Sequence, residues 1–469
     1  MIKVLWWIGL TFLPYLCIAQ PLSKRLDSLL SDPMLKTSEV GISVYDLTAG
    51  QSLFRYQDQK LYRPASVEKI VTGVTALARL GSEATFDTAL KMKGIVQNDT
   101  LHGSLYVVGG FDPLFMEEDM DSLVQSLVDR GIRYVTDSLV ADISMTDSLY
   151  WGAGWSWDDA PFEFQPYLSP LLLNRGCVKV TALPGQAGES PLVKCFPASS
   201  YYQLENQAKS QVPQSGKFKV TRNWMEQGNR ILLKGNVERA ISKYVSMHRG
   251  DAFFMHVLKE RLRAKGIEVP QEVYLTDSLS VVDSLPSFYQ VRRPLQKVLK
   301  EAMKESDNLC AEAMFYQLAS RCTSCSRVGA EQATKVIQAF IQNELGLDPK
   351  DYRIEDGSGV SLYNYVSPQL LMAYLKYAYV HSGLFAPLYD ALPIAGIDGT
   401  LEHRMKKTTA YRKVRAKTGS VTGVSSLVGY VKAANGHQLA FVIINQNVLK
   451  LSKARRFQDR LCTILSQYR

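Results

Sequence analysis

The sequence predicts a mixed α+β protein in which one antiparallel sheet, flanked by helices, is assembled from both chain ends and interrupted by a long insert of mainly β character. Three observations carry this. Residues 41–46 and 51–56 alternate as two strands around Thr48-Ala49-Gly50, and residues 424–431 and 438–444 form a second hairpin around Asn435-Gly436, a type I′ signal. Helical periodicity near 23–30 and across 451–468 flanks the two hairpins. Between them the chain breaks into short strand-like runs at 104–108, 178–183, 218–221 and 230–234.

The first nineteen residues come before any of this. Lys3 gives a positive start, residues 4–18 are apolar, and Cys17-Ile18-Ala19 supplies small residues for cleavage. They read as a secretory signal cut near Ala19, giving a periplasmic or otherwise exported envelope protein. No later stretch approaches the roughly 20 apolar residues of a membrane span.

After the first hairpin comes Ser66-Val67-Glu68-Lys69, the one Ser-x-x-Lys in the chain, with Pro64 ahead of it and the apolar run Ile70, Val71, Val74, Leu77 behind. That pattern places Ser66 at the mouth of a helix. At i, i+3 the Ser66 hydroxyl and the Lys69 amine share one face, so the amine can take the hydroxyl proton. The helix start adds N–H groups and a positive dipole end where an attacked carbonyl would gain charge.

Lys69 and Ser306 are 237 positions apart, too far for one uninterrupted core, so an inserted region is expected at 88–287. Its inner part, about 155–245, reads as a second nested domain. Residues 184–216, rich in Gly, Ser, Pro and Gln, read as loop. Residues 20–87 and 288–469 then form the outer domain. Helical periodicity returns after Pro294, and Ser306-Asp307-Asn308 opens the helix 309–318. Lys417-Thr418-Gly419-Ser420 leads into the C-terminal hairpin, on or beside a strand.

The formal charge of +9 over 469 residues favours anionic surroundings, such as a cell-wall polymer or peripheral contact with the envelope. Without a dense basic block or a nucleic-acid module, the sequence points away from nucleic acid. Six cysteines follow the signal. Cys177 and Cys195 bracket a short segment suited to a disulfide, and Cys322 and Cys325 suit a local bridge or two free thiols. The six histidines have no ligand spacing, so neither metal nor cofactor is expected.

Ser-x-x-Lys, Ser-Asp-Asn and Lys-Thr-Gly in that order form the signature of penicillin-recognising acyl-serine enzymes. Arg63-Pro64-Ala65-Ser66, Val108-Gly109-Gly110-Phe111-Asp112-Pro113, Gly154-Trp155-Ser156-Trp157-Asp158-Asp159, Asp356-Gly357-Ser358-Gly359 and the stretch 392–401 extend the match over nearly the whole mature chain. On these residues the chain resembles the D-alanyl-D-alanine carboxypeptidase/endopeptidases, the class C low-molecular-mass penicillin-binding proteins. It departs from their pattern at Phe111 (usually glycine), Cys310 (commonly aromatic) and Leu362 (frequently arginine).

The resemblance implies a transpeptidase-like fold, as in β-lactamases, with two domains nested between its first two motifs. It implies peptidoglycan stem peptides and β-lactam antibiotics as partners. Ser66 is the expected nucleophile, Lys69 the base and Ser306 the proton relay. Asn308 is expected to hold the substrate's backbone, and Lys417 with Thr418 its terminal carboxylate. The N–H groups of Ser66 and Ser420 are expected to form the oxyanion hole, and Gly419 to leave room for substrate along the strand edge. Burial and the charge of Lys417 are both expected to depress the Lys69 pKa. Trp155 and Trp157 are expected in packing, the glycines of 356–359 in turns, and Asp307 as a brace for its helix. One rival reading is a serine β-lactamase-like hydrolase, against which Pro170 stands where the deacylating glutamate would precede Leu173-Asn174. The other is a non-catalytic cell-wall-binding protein of the same fold.

Overall fold

The computed structural model describes residues 22–276, 284–325 and 327–469. The expected signal segment, 1–19, lies outside the described residues. Among the described residues no helix is long and apolar enough to cross a membrane.

Five strands form one antiparallel sheet in the order Val414–Val421, Val424–Lys432, Gln438–Gln446, Glu39–Asp46, Gln51–Tyr56. The two chain ends meet where Glu39–Asp46 pairs with Gln438–Gln446, from Glu39 opposite Gln446 to Asp46 opposite Leu439. Both of these central strands are covered on both faces, and the sequence of Gln438–Gln446 shows it. Leu439, Phe441 and Ile443 point into the core beneath the helices Leu22–Leu29 and Leu451–Ser466, as do Val40, Ile42 and Val44. Ala440, Val442 and Ile444 point the other way, into a larger core shared with the helices Lys69–Leu80, Leu295–Lys304, Asn308–Cys322 and Pro368–Val380. A strand buried on both faces reads as a continuous apolar run rather than an alternation. At Asn435-Gly436 only Gly436 takes a positive φ (87°). Type I′ needs two such residues, so this turn is a longer link.

The middle of the chain has a separate core and its own sheets. The strand leading out, Thr85–Gln97, and the strand leading back, Ser287–Pro294, pair antiparallel with Thr85 opposite Pro294. The expected insert limits, 88 and 287, fall within this pair. The helices Glu117–Val128 and Gly250–Ala264 share this part of the chain with the strands. Residues 184–216, expected as loop, contain the strands Leu192–Phe196, Gln203–Asn206 and Lys209–Ser210. These are short and partly exposed, and the Gly, Ser and Pro between them hide them from a composition-based reading.

Cys177 and Cys195 are both free, as are Cys322 and Cys325. Register explains the first pair: Cys195 faces Val180, while Cys177 faces Ser246 on the opposite edge of the same strand. Phe111 occupies the left-handed region (φ 58°), which accounts for the usual glycine at this position. Its ring is buried 5.6 Å from that of Tyr316, which offsets the backbone cost.

Candidate active site

Ser66 lies in a 3-10 turn, Ala65–Glu68, and the α-helix begins only at Lys69. This turn runs directly into the helix, so Ser66 stands at the helix mouth as expected, just after Ala65 with its left-handed φ of 51°. The strand Val414–Val421 runs directly over this turn. A Cβ on Gly419 would sit 2.2 Å from Ser426 Oγ, 2.8 Å from the Pro64 carbonyl oxygen and 3.1 Å from Ser66 N. Ser426 and the turn that carries Ser66 thus leave no room for a side chain at residue 419.

Lys69 is fully buried, and its ammonium finds three acceptors: Ser66 Oγ at 2.9 Å, Asn308 Oδ1 at 2.7 Å and the Ser358 carbonyl at 2.8 Å. That count matches its three N–H donors. Burial lowers its pKa from 10.5 to about 8, against the opposing pull of Asp356, Glu312 and Asp307. Across the cleft Lys417, also buried, donates to Ser306 Oγ at 2.7 Å and to its neighbour's carbonyl, Thr418 O, at 2.7 Å. Burial and the charge of Lys69 hold Lys417 well below the usual lysine range. The like-charge penalty thus falls on Lys417; in Lys69 desolvation alone drives the shift down. Ser306 itself takes a left-handed φ of 61°, on the bend before the helix Asn308–Cys322.

Thr418 Oγ1 bonds Thr400 Oγ1 at 2.8 Å, so the Asp398-Gly399-Thr400 bend borders the cleft. Asn308 is doubly engaged: besides Lys69, its Nδ2 donates to the Phe164 carbonyl at 2.7 Å. Asp307 caps its helix by accepting from Cys310 N at 2.7 Å and pairs with Arg175 at 2.6 Å, bringing the middle of the chain to the site. Ser66, Ser306, Thr418, Gly419 and Ser420 open on one cleft of about 520 Å³. The structure brings together every residue singled out from the three motifs.

A layer beneath them escaped the sequence reading. Asp356 accepts from Gly359 N (2.8 Å), Ser361 N (2.7 Å), Asn364 Nδ2 (2.7 Å), Ser358 Oγ (3.2 Å) and Trp155 Nε1 (2.8 Å). Glu312 accepts from Gly357 N at 3.2 Å and Ser358 N at 2.9 Å. Together they fix the turn whose Ser358 carbonyl holds Lys69. Gly359 (φ 83°) is forced, since a Cβ there would lie 2.0 Å from the Ala65 carbonyl oxygen. Burial and the Asp356 charge push the Glu312 carboxyl up to about 8. Glu68 is fully buried with neither carboxylate oxygen partnered, and burial pushes its pKa far up, so it is held neutral. Trp155 is buried; Trp157 is 67% exposed, its ring 4.8 Å from that of Trp224. The Asp-Gly-Ser-Gly stretch was the available signal for this layer.

The sequence profile of the D-Ala-D-Ala carboxypeptidase 3 (S13) family matches residues 22–468. The chain belongs to that family. Among curated relatives, the D-alanyl-D-alanine carboxypeptidase DacB of Haemophilus influenzae is 27% identical over 422 residues, covering 88% of this chain and 86% of the relative. The D-alanyl-D-alanine carboxypeptidase of an Actinomadura species is 28% identical over 475 residues, covering 95% and 85%. The crystal structure of penicillin binding protein 4 from Haemophilus influenzae superposes with a TM-score of 0.83 at 25% identity, over 94% of this chain and 99% of that one. The expected α+β fold is therefore the fold of this carboxypeptidase family.

Proposed function

We propose that this protein is a serine-type D-Ala-D-Ala carboxypeptidase that also cleaves peptidoglycan cross-links, acting through an acyl-enzyme on Ser66 after export to the envelope. The observation that carries this is the Lys69–Ser66 contact of 2.9 Å, facing the Lys417–Ser306 contact of 2.7 Å across one cleft. Once Lys69 gives up a proton, the first hydrogen bond reverses and Ser66 donates to Nζ. Ser66 Oγ then attacks the D-Ala-D-Ala carbonyl as its proton passes to Lys69. Ser306 relays a proton to the leaving amine, and water completes the cycle by hydrolysing the ester.

The Ser66 and Ser420 N–H groups take the oxyanion, a contribution of roughly 3 kcal/mol per donor. Lys417 and Thr418 receive the substrate's terminal carboxylate. Asn308 Nδ2 exchanges the Phe164 carbonyl for one on the substrate's backbone. A cross-link also ends in a D-amino-acid carboxylate, so the same clamp serves endopeptidase cleavage. The names of the relatives, carboxypeptidases and a penicillin-binding protein, support the substrate class and β-lactam binding. Residues 20–87 and 288–469 form the catalytic unit in this reading, with 88–287 as its insert. By sequence spacing, Pro170 stands where the Glu-x-x-Leu-Asn loop of a β-lactamase would carry its glutamate. Deacylation of a β-lactam adduct is accordingly slow.

Incubation with a fluorescent penicillin and intact-mass analysis tests the assignment. One adduct is expected on the native protein and none on Ser66→Ala; labelling that persists in the variant refutes the nucleophile. Cross-linked muropeptide dimers and pentapeptide monomers, offered separately, then divide the two activities.

A further inference from the structure

One stretch of surface beside the cleft is strongly basic. The loop 402–413 and the stretch 450–469 together hold eleven Lys and Arg against two acids, Glu402 and Asp459, a balance equal to that of the whole protein. The two stretches form one face. Arg404 spans them, donating to Asp459 Oδ1 from Nε (2.9 Å) and Nη2 (2.6 Å) and to the Arg455 carbonyl at 3.1 Å. Thr409 Oγ1 lies 2.7 Å from Ser466 Oγ. The cations left over are exposed: Lys406, Lys407 and Lys413 on the loop, Lys453, Arg455 and Arg456 on the helix Leu451–Ser466. None of these six has an ion-pair partner among the described residues. This face runs into the cleft, since His403, Arg404 and Arg455 line the same cavity as Ser66 and Thr418.

We propose that this face is an exosite for polymeric peptidoglycan, holding free carboxylates on peptides adjoining the one in the cleft. The inference rests on the peptidase reading above and adds a surface that acts only on polymer. A long anionic chain whose scissile peptide lies over Ser66 must cross one rim of the cleft, and this rim is cationic. Unpaired exposed cations give little fixed binding energy, but they raise the local concentration and capture rate of a polyanion, by about 10- to 1,000-fold in steered systems. The effect is screened by salt, with a Debye length of about 8 Å at physiological ionic strength.

The test uses the mature protein and the triple variant Lys406→Glu/Lys407→Glu/Arg456→Glu, with Lys413→Glu/Lys453→Glu as an independent second variant. Co-sedimentation with purified sacculi at low and at physiological salt is read first, then kcat/KM on sacculi and on soluble pentapeptide. The native protein is expected to bind sacculi in a salt-sensitive way. Both variants should lose about tenfold in binding and in kcat/KM on sacculi, while pentapeptide turnover and penicillin acylation stay within about twofold. Unchanged binding to sacculi in both variants overturns the proposal. So does a loss of binding to phosphatidylglycerol vesicles with sacculus binding intact, which would make the face a lipid contact. Failure of the peptidase reading shows separately, as absence of penicillin acylation in the native protein, because sedimentation needs no turnover.

Discussion

Acylation of Ser66 should follow the titration of Lys69, and the structure sets where the rise occurs. With the Lys69 pKa lowered to about 8, roughly one molecule in ten has the neutral amine at pH 7, half at pH 8 and about nine in ten at pH 9. The rate constant for acylation by a β-lactam should therefore climb about tenfold between pH 7 and pH 9 and then level off. An unburied lysine at 10.5 would be neutral in only about one molecule in three thousand at pH 7. Burial thus raises the reactive fraction about 300-fold, equivalent to ~3 kcal/mol of differential stabilisation. Stopped-flow acylation at constant ionic strength measures the profile. A rate that is flat from pH 7 to 9, or still rising beyond pH 10, would refute the assignment of Lys69 as base. Glu312→Gln sharpens the test: its carboxylate favours the charged amine, so removing it should move the inflection to lower pH. An upward move would contradict the network described here.

The same carboxyl predicts a stability trend. Its folded pKa is raised from 4.5 to about 8, so its contribution to stability is complete below pH 4.5 and lost as pH rises towards 8; Glu312→Gln should flatten the fall in Tm across that window. Trp155→Phe removes the 2.8 Å donor to Asp356 and should cost about 1–3 kcal/mol by urea unfolding. It should also slow acylation by loosening the turn that carries Ser358, and an unaltered rate would place Trp155 outside the network. Gly419→Ala puts a methyl 2.2 Å from Ser426 Oγ, so acylation should fall by at least tenfold; the Gly419→Ala/Ser426→Gly double variant should recover part of it.

Local patterns carried the catalytic groups and missed what supports them. Ser66 and Lys69 are three residues apart, and Ser306 to Asn308 and Lys417 to Ser420 are contiguous, so each motif is visible to anyone reading along the chain. Asp356, Glu312 and Trp155 support Lys69 from 86 to 287 positions away, in partnerships created only by folding. No spacing rule exposes them. Asn308 was legible as a site residue, but its second bond, to the Phe164 carbonyl, was not, because backbone acceptors carry no sequence mark. Gly419 was legible as a required glycine, but its crowding by Ser426 and Pro64 was not, because only the folded sheet brings them near. The hairpins flanking the insert were clear because their strands alternate or run apolar over six or more residues. The strands at 192–210 were not, being five residues or fewer in polar surroundings.

The pairing of Glu39–Asp46 with Gln438–Gln446 joins residues about 400 positions apart, and it dictates an order of assembly. During synthesis Ser66 emerges early, yet the strand lying over it and the two beyond are the last three made. Until they arrive the first hairpin has no neighbouring strand, and a two-stranded sheet is barely stable in water. The middle of the chain, with a core of its own, is complete well before that and can fold while the outer sheet waits. The cleft is therefore incomplete until the final strands close the sheet. A nascent chain stopped short of residue 414 would carry Ser66 and Lys69 without the strand that covers them.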